Sequence, residues 1–363
     1  MSTKIPPAGV VKAVDRIRHH LAQLHRKLTP APIALMEMIL ATWFSQAITA
    51  AAQLGIADAL AERPLTRDDL ARTIDADPDA VGRLMRTLIS RGVFKQTRDG
   101  RYALNALGDA LRSDSEVSMK GAALFYGSPE HREHWTHLSD SIRSGQPTIP
   151  MLRGKELFAY LESEPEFAAL FNDAMTSISD MSEAALTAAY DFSRFGVIAD
   201  VGGGHGGLLA GILAATPQAR GVLFDLPKVV EGAPALLTSR GVADRVTIEP
   251  GSFFEKAPTG VDAYVMKNVI HDWADDDAVK ILRTIRDAAT PDAKVLLFEL
   301  VIPEHNREFM GKLVDMEMLL ALGAMERTAD QWRDVLSRAG FRLTRIVPSA
   351  TPLSIIEAEI APA

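Results

Sequence analysis

Residues 199–207 read Ala-Asp-Val-Gly-Gly-Gly-His-Gly-Gly, and no other stretch constrains the chain as much. The run follows the apolar Phe195-Gly196-Val197-Ile198 and precedes Leu208-Leu209-Ala210-Gly211-Ile212-Leu213, a helix-like segment. A strand, a glycine loop and a helix in that order make a nucleotide-binding turn. No Cβ stands between backbone and ligand, and the helix N-terminus points at it. Gly202, Gly204 and Gly207 satisfy the G-x-G-x-x-G fingerprint literally, but that pattern alone is weak. Asp200 changes its meaning, because a carboxylate at the end of the strand would repel a bound pyrophosphate. It suits a ligand with positive charge near the loop, such as the ammonium and sulfonium of S-adenosylmethionine.

A chain of 363 residues has room for two domains, or one large one, with ample core. Its net charge of −8 argues against a general polyanion binder. The absence of cysteine excludes disulfides, thiolate zinc sites and cysteine nucleophiles. The stretch from Met1 to Val14 lacks the basic-then-apolar layout of a signal peptide. The longest apolar stretch, Ala31 to Leu54, is interrupted by Glu37, Thr42, Ser45, Gln46 and Gln53, so no membrane span is expected. The expectation is a cytoplasmic protein with no membrane partner.

Residues 1–30 are basic and polar and read as an arm with one helix. From Leu35 to Ala52, Met36, Leu40, Phe44 and Ile48 recur at helical spacing beside Ile39, Trp43 and Ala47. That surface is broad for one helix, and a partner subunit explains it better than a monomer core. Thr66 and Asp77-Pro78 open two further helices. The strand-like Gly92–Gln96 and Arg101–Leu104 meet at Asp99-Gly100, a good hairpin turn. Two helices and a hairpin make a winged-helix unit. Arg83, Arg86 and Arg91 could face nucleic acid, but Asp75, Asp77 and Asp79 stand at the entry of that helix. Dimerisation is favoured over DNA binding.

Residues 112–190 look helical and aromatic-rich. Beyond residue 195 strand and helix alternate, with strand-like runs at 197–201, 221–225, 246–249, 263–266, 295–299, 341–347 and 353–358. That rhythm predicts a doubly wound α/β domain with a largely parallel sheet. The boundary is placed between 1–111 and 112–363, with 112–190 as a helical substrate-binding segment.

Asp225 ends the second of these strands, where a carboxylate faces the ribose of a bound nucleoside; the plain alternative is a helix-initiating aspartate before Leu226-Pro227. Lys267-Asn268-Val269-Ile270-His271-Asp272-Trp273 follows the fourth strand, whose carboxyl end lines the crevice in such sheets. A lone histidine is usually structural, but this position favours His271 as a general base for a hydroxyl proton. Asp272 could cap the next helix, and Glu299 and Glu326 could orient or polarise the imidazole. His131, His134 and His137, three apart, read as surface histidines of a helix and not as a metal site. Met318 lies in a methionine and leucine stripe before Glu326 and is a candidate wall for an aromatic substrate, with Trp135 and Met175 on the opposite wall.

The four runs Ala199–Gly207, Gly221–Pro227, Lys267–Trp273 and Glu326-Arg327-Thr328, in this order and spacing, resemble the S-adenosylmethionine-dependent O-methyltransferases of the plant caffeate and bacterial hydroxyneurosporene type. The resemblance runs from about Leu35 onward. It implies a winged-helix dimerisation domain followed by a Rossmann-like methyltransferase domain, and a homodimer acting on an aromatic or polyketide-like small molecule. It also implies cofactor contacts from Asp200, Gly202, Gly204, Asp225, Leu226 and Lys267, with His271 as base between Glu299 and Glu326. One departure stands out. The family reads Gly-Asp-hydrophobic-Phe after the third strand, whereas this chain has Gly251-Ser252-Phe253-Phe254. Ser252 therefore offers the adenine amine an uncharged acceptor, and Phe253 covers the ring. Three rival readings are a nicotinamide-dependent oxidoreductase, a ligand-responsive winged-helix regulator, and a methyltransferase-fold enzyme that has drifted to decarboxylation or hydroxylation.

Overall fold

The computed structural model describes residues 5–362, which fall into two compact units. One holds the chain up to His20, Leu138–Gly154 and Ser182 to the C-terminus; the other holds Leu21–His137 and Lys155–Met181.

The chain begins with α1 (Ala8–Lys27), a helix with no buried residue, whose Val10, Val14, Ile17, Leu21 and Leu24 are all exposed. The apolar stretch after it forms two helices where one is expected, α2 (Ala31–Ile39) and α3 (Ala41–Gln53). Leu40 separates them: its ψ of −7° tightens the turn and interrupts the i→i−4 ladder. Met36, Met38, Ile39 and Trp43 remain exposed, while Ala51 and Ala52 enter the core. The helices α4 (Arg67–Thr73) and α5 (Pro78–Ser90) are capped by Thr66 and Asp77, whose side chains accept the Asp69 and Ala80 N–H groups. Their inner faces bury Leu70, Val81, Met85 and Leu88. The hairpin after them is shorter than the sequence suggests, β1 (Lys95–Gln96) pairing antiparallel with β2 (Tyr102–Ala103). Gly92 and Phe94 are both left-handed (φ +80° and +67°), which excludes them from a strand.

The other unit is built on a sheet of β3 (Val197–Val201), β4 (Arg220–Asp225), β5 (Val246–Pro250), β6 (Ala263–Lys267), β7 (Lys294–Ile302), β8 (Arg327–Thr328), β9 (Phe341–Pro348) and β10 (Leu353–Ile360). The order is β5-β4-β3-β6-β7-β10-β9, with β8 beside the end of β7. The first five are parallel, and β10 and β9 run antiparallel. In β6, Ala263 and Val265 pack on one face and Tyr264 and Met266 on the other, all completely buried. Burial on both faces explains why these strands read as continuous apolar runs. The order reverses between β3 and β6, which opens a crevice at their carboxyl ends. Both the glycine run and the His271 segment leave the sheet there.

Candidate active site

The glycine loop joins β3 to α6 (Gly207–Ala215) and turns through left-handed Gly202, Gly204 and Gly206 (φ +69°, +60° and +86°). A Cβ on Gly203 would lie 2.6 Å from the Asp200 carboxyl carbon, so this glycine is demanded by packing. Beside Gly204 a Cβ would meet nothing within 4 Å. The Asp225 carboxylate closes the loop: Oδ2 accepts the Gly204 N–H at 2.8 Å and Oδ1 the Leu226 N–H at 2.7 Å. Each oxygen keeps a lone pair for ligand hydroxyls.

Asp200 is buried at the end of β3, and its Oδ2 has no hydrogen-bond partner. Burial pushes its carboxyl up to about 7, opposed by the Lys267 ammonium and reinforced by Asp225. An orphaned buried carboxylate oxygen calls for a cationic donor and rejects phosphate, so the loop fits an ammonium-bearing cofactor such as S-adenosylmethionine. Phe253 reaches this loop, since a Cβ on Gly202 would lie 3.5 Å from its ring edge. Ser252 Oγ already accepts the Phe254 N–H at 3.3 Å. Phe253 and Phe254 both meet Trp273, at ring-centroid distances of 6.0 and 4.7 Å. Leu226 is half exposed at the rim.

Across the crevice, β6 ends at Lys267, and Asn268 adopts a left-handed φ of +52°. That turn aims the next two N–H groups at one carboxylate: Glu299 Oε1 accepts from Val269 at 3.2 Å and from Ile270 at 2.9 Å. His271 lies in the 3₁₀ turn that follows (Ile270–Asp272), nearly buried, with Nδ1 2.7 Å from Glu326 Oε1 and Nε2 3.4 Å from Asp272 Oδ1. Burial would lower the imidazole's proton affinity; the carboxylates of Asp272, Glu299 and Glu326 reverse that and push its pKa up to about 10. Burial in turn pushes Glu299 up to about 7 and Asp272 up to about 6, against the pull of the imidazole. Ligating atoms of His271, Glu299 and Glu326 lie within 4.8 Å of one another. The direct bond between Nδ1 and Glu326 leaves no room for an ion between those two groups.

Several expectations need correction. Glu299 holds the backbone of the loop and makes no hydrogen bond to the ring; only Glu326 does. Asp272 does not cap α7 (Asp275–Ala288), whose N-cap is Ala274 without a side-chain bond; it faces the imidazole. His131 and His134 are buried against an aromatic cluster with Phe125, Tyr126 and Phe167 and are not surface residues. Their neighbours, and not any charge pattern, draw them inward. Met318 is buried on α8 (Gly311–Leu322), a helix that packs against the His271 turn. Trp135 and Met175 belong to the other unit.

Two participants escaped sequence reasoning. Asp315 Oδ1 accepts the Glu326 N–H at 2.9 Å, which orients the residue on the imidazole. Arg327 is completely buried and donates to the Ile270 and Trp273 carbonyls. Its place directly after Glu326 was the available signal.

Comparison with known proteins agrees with this arrangement. Residues 135–342 match the O-methyltransferase domain and residues 36–114 the O-methyltransferase dimerisation domain. A phenazine O-methyltransferase of Lysobacter antibioticus is 38% identical over 329 residues, covering 91% of this chain and 96% of that protein. The mitomycin biosynthesis 6-O-methyltransferase of Streptomyces lavendulae is 38% identical over 323 residues, covering 88% and 92%. An O-methyltransferase from neocarzinostatin biosynthesis, solved with S-adenosylmethionine and 2-hydroxy-5-methyl naphthoic acid, superposes with a TM-score of 0.73 at 30% identity, covering 87% and 96%. With both domains matched across a Rossmann-like sheet, the chain belongs to the O-methyltransferase family and is a methyltransferase whose cofactor is S-adenosylmethionine.

Proposed function

We propose that this enzyme methylates a hydroxyl group on an aromatic or polyketide-like small molecule, with His271 as the general base. The observation that carries the reading is the Glu326 carboxylate on Nδ1 of a nearly buried imidazole at the crevice. A carboxylate on Nδ1 keeps the proton of the neutral ring there and leaves Nε2 as the basic atom. Bound S-adenosylmethionine supplies an electrophilic methyl on a sulfonium. Nε2 withdraws the hydroxyl proton as the oxygen–carbon bond forms and the carbon–sulfur bond breaks. The protein's larger contribution is to hold oxygen, methyl and sulfur in line. Asp200, Gly202, Gly204, Asp225, Leu226, Ser252, Phe253 and Lys267 are assigned to the cofactor, and Met318, Trp135 and Met175 to the acceptor.

We further read the enzyme as a cytoplasmic homodimer. The exposed apolar residues of α2 and α3 fall within or beside the dimerisation match, which accounts for them without a membrane. The acidic entry of α5 disfavours nucleic acid. Incubation with S-adenosylmethionine and a panel of hydroxylated phenazines, naphthoates and quinones, read by mass spectrometry, tests the function. The expected result is a gain of one methyl per S-adenosylhomocysteine released. Thermal stabilisation by NAD or NADP but not by S-adenosylmethionine would refute it.

A further inference from the structure

Arg327 is a guanidinium with no exposure at all, and such a charge persists only where every face is partnered. Its Nη1 donates to the Ile270 carbonyl at 3.1 Å and its Nη2 to the Trp273 carbonyl at 2.8 Å. Nε and Nη2 both reach Asp275 Oδ1, at 2.9 and 2.8 Å, and the group lies 5.3 Å above the Trp332 ring. Asp275 and the ring would suffice to neutralise and pack the charge. The two carbonyl bonds do something else, because Ile270 and Trp273 bracket His271 on either side. From the opposite direction Glu299 holds the Val269 and Ile270 N–H groups. The turn is therefore gripped by its donors from β7 and by its carbonyls from β8. These strands are parallel neighbours, with Arg327 opposite Val301, two residues beyond Glu299. The residue before Arg327, Glu326, holds the ring itself.

We propose that Arg327 is a positioning residue for His271, fixing the backbone of its turn so that the imidazole stays aligned on Glu326. The inference deepens the assignment of His271 as base and rests on it for its catalytic meaning. A lysine cannot replace this group: one ammonium reaches one carbonyl, whereas the planar fork spans both and the carboxylate together.

The test is nuclear magnetic resonance of the full-length, cofactor-free protein with ¹⁵N-labelled histidine, the His271 ring signals being those that vanish in His271→Ala. Two variants are compared with the native chain: Arg327→Lys, and Asp275→Asn, which loosens the guanidinium without removing it. In the native protein the His271 Nδ1 proton, held in the bond to Glu326, gives a slowly exchanging signal. In Arg327→Lys that signal is lost to exchange and the ring's titration midpoint falls by about one pH unit as the carboxylate contact loosens. Asp275→Asn moves both observables in the same direction by less, and decides the matter if Arg327→Lys does not fold. The His205 ring in the glycine loop stays unchanged, and S-adenosylmethionine affinity by calorimetry stays within about twofold, since β3 and β4 carry the loop and Asp225.

Native His271 signals in the folded variants overturn the proposal and leave the base assignment standing. Equal changes at His205 and His271 overturn it too, because they mark a general loosening of the fold. Full turnover in His271→Ala with the signals shifted as expected would remove the base assignment and leave the positioning intact.

Discussion

His271 Nδ1 lies 2.7 Å from Glu326 Oε1, although 55 residues separate the two in the chain. The contact joins the loop after β6 to the start of β8, and it turns an isolated histidine into an oriented one. It also sets a polarity. The nitrogen facing Glu326 is occupied, so Nε2 is the atom left for an acceptor.

Replacing His271 by alanine is expected to slow turnover about 10²–10⁴-fold, the usual worth of a positioned proton transfer. Cofactor affinity by calorimetry should barely change. The loss should shrink with acceptors of increasing acidity, which ionise without help. Near-native methylation of a weakly acidic hydroxyl would remove the base assignment.

Glu326→Gln should move the pH dependence of turnover in a defined direction. Burial lowers the imidazole's proton affinity, but Asp272, Glu299 and Glu326 together raise it to about 10, so the base becomes free as pH rises through that value. Removing one carboxylate lowers the folded pKa, and the rising limb of the rate profile should shift to lower pH. The same pairing stabilises the native fold below about pH 6.5. That contribution is lost as pH rises through about 10, so native and variant melting temperatures should converge in that window.

Asp200→Asn should separate stability from binding. Because burial raises the folded pKa of Asp200 to about 7, the neutral carboxyl favours the native state below about pH 4 and that advantage is lost as pH rises through 7. The asparagine variant should therefore match the native protein near pH 4. At pH 8 without cofactor it should exceed the native protein by about 1–3 kcal/mol in chemical denaturation. Its affinity for S-adenosylmethionine should fall, because the acceptor for the ammonium is gone. Tighter binding would place Asp200 outside the cofactor site.

Ser252→Asp should preserve or tighten cofactor binding. The serine oxygen accepts the Phe254 N–H, a bond an aspartate can also make while presenting a second, charged oxygen outward. Much weaker binding by calorimetry would show that residue 252 does not meet the adenine edge.

Trp43→Glu should yield monomers at micromolar concentration in sedimentation velocity. Trp43 is 72% exposed on α3, inside the dimerisation match, and a charge there would oppose burial against a second copy. An unchanged dimer would place the interface elsewhere.

The parts of this protein legible from the chain are those that depend on neighbours in sequence. The glycine loop, the Thr66 and Asp77 caps and the parallel strands all follow from short-range sterics, capping and unbroken apolar runs. Their causes lie within a few residues of one another, so a linear reading reaches them. Tertiary structure decided the rest. That Glu326 and not Glu299 meets the imidazole depends on β8 lying beside the end of β7. Glu299, two residues back, is thereby left to bind backbone N–H groups. Arg327 reads as an ordinary charge until the fold buries it between two carbonyls. His131 and His134 likewise become interior residues only because aromatic rings distant in the chain pack around them. Spacing carries local geometry, but the partner of a buried polar group is chosen by whichever distant strand or helix the packing brings to it.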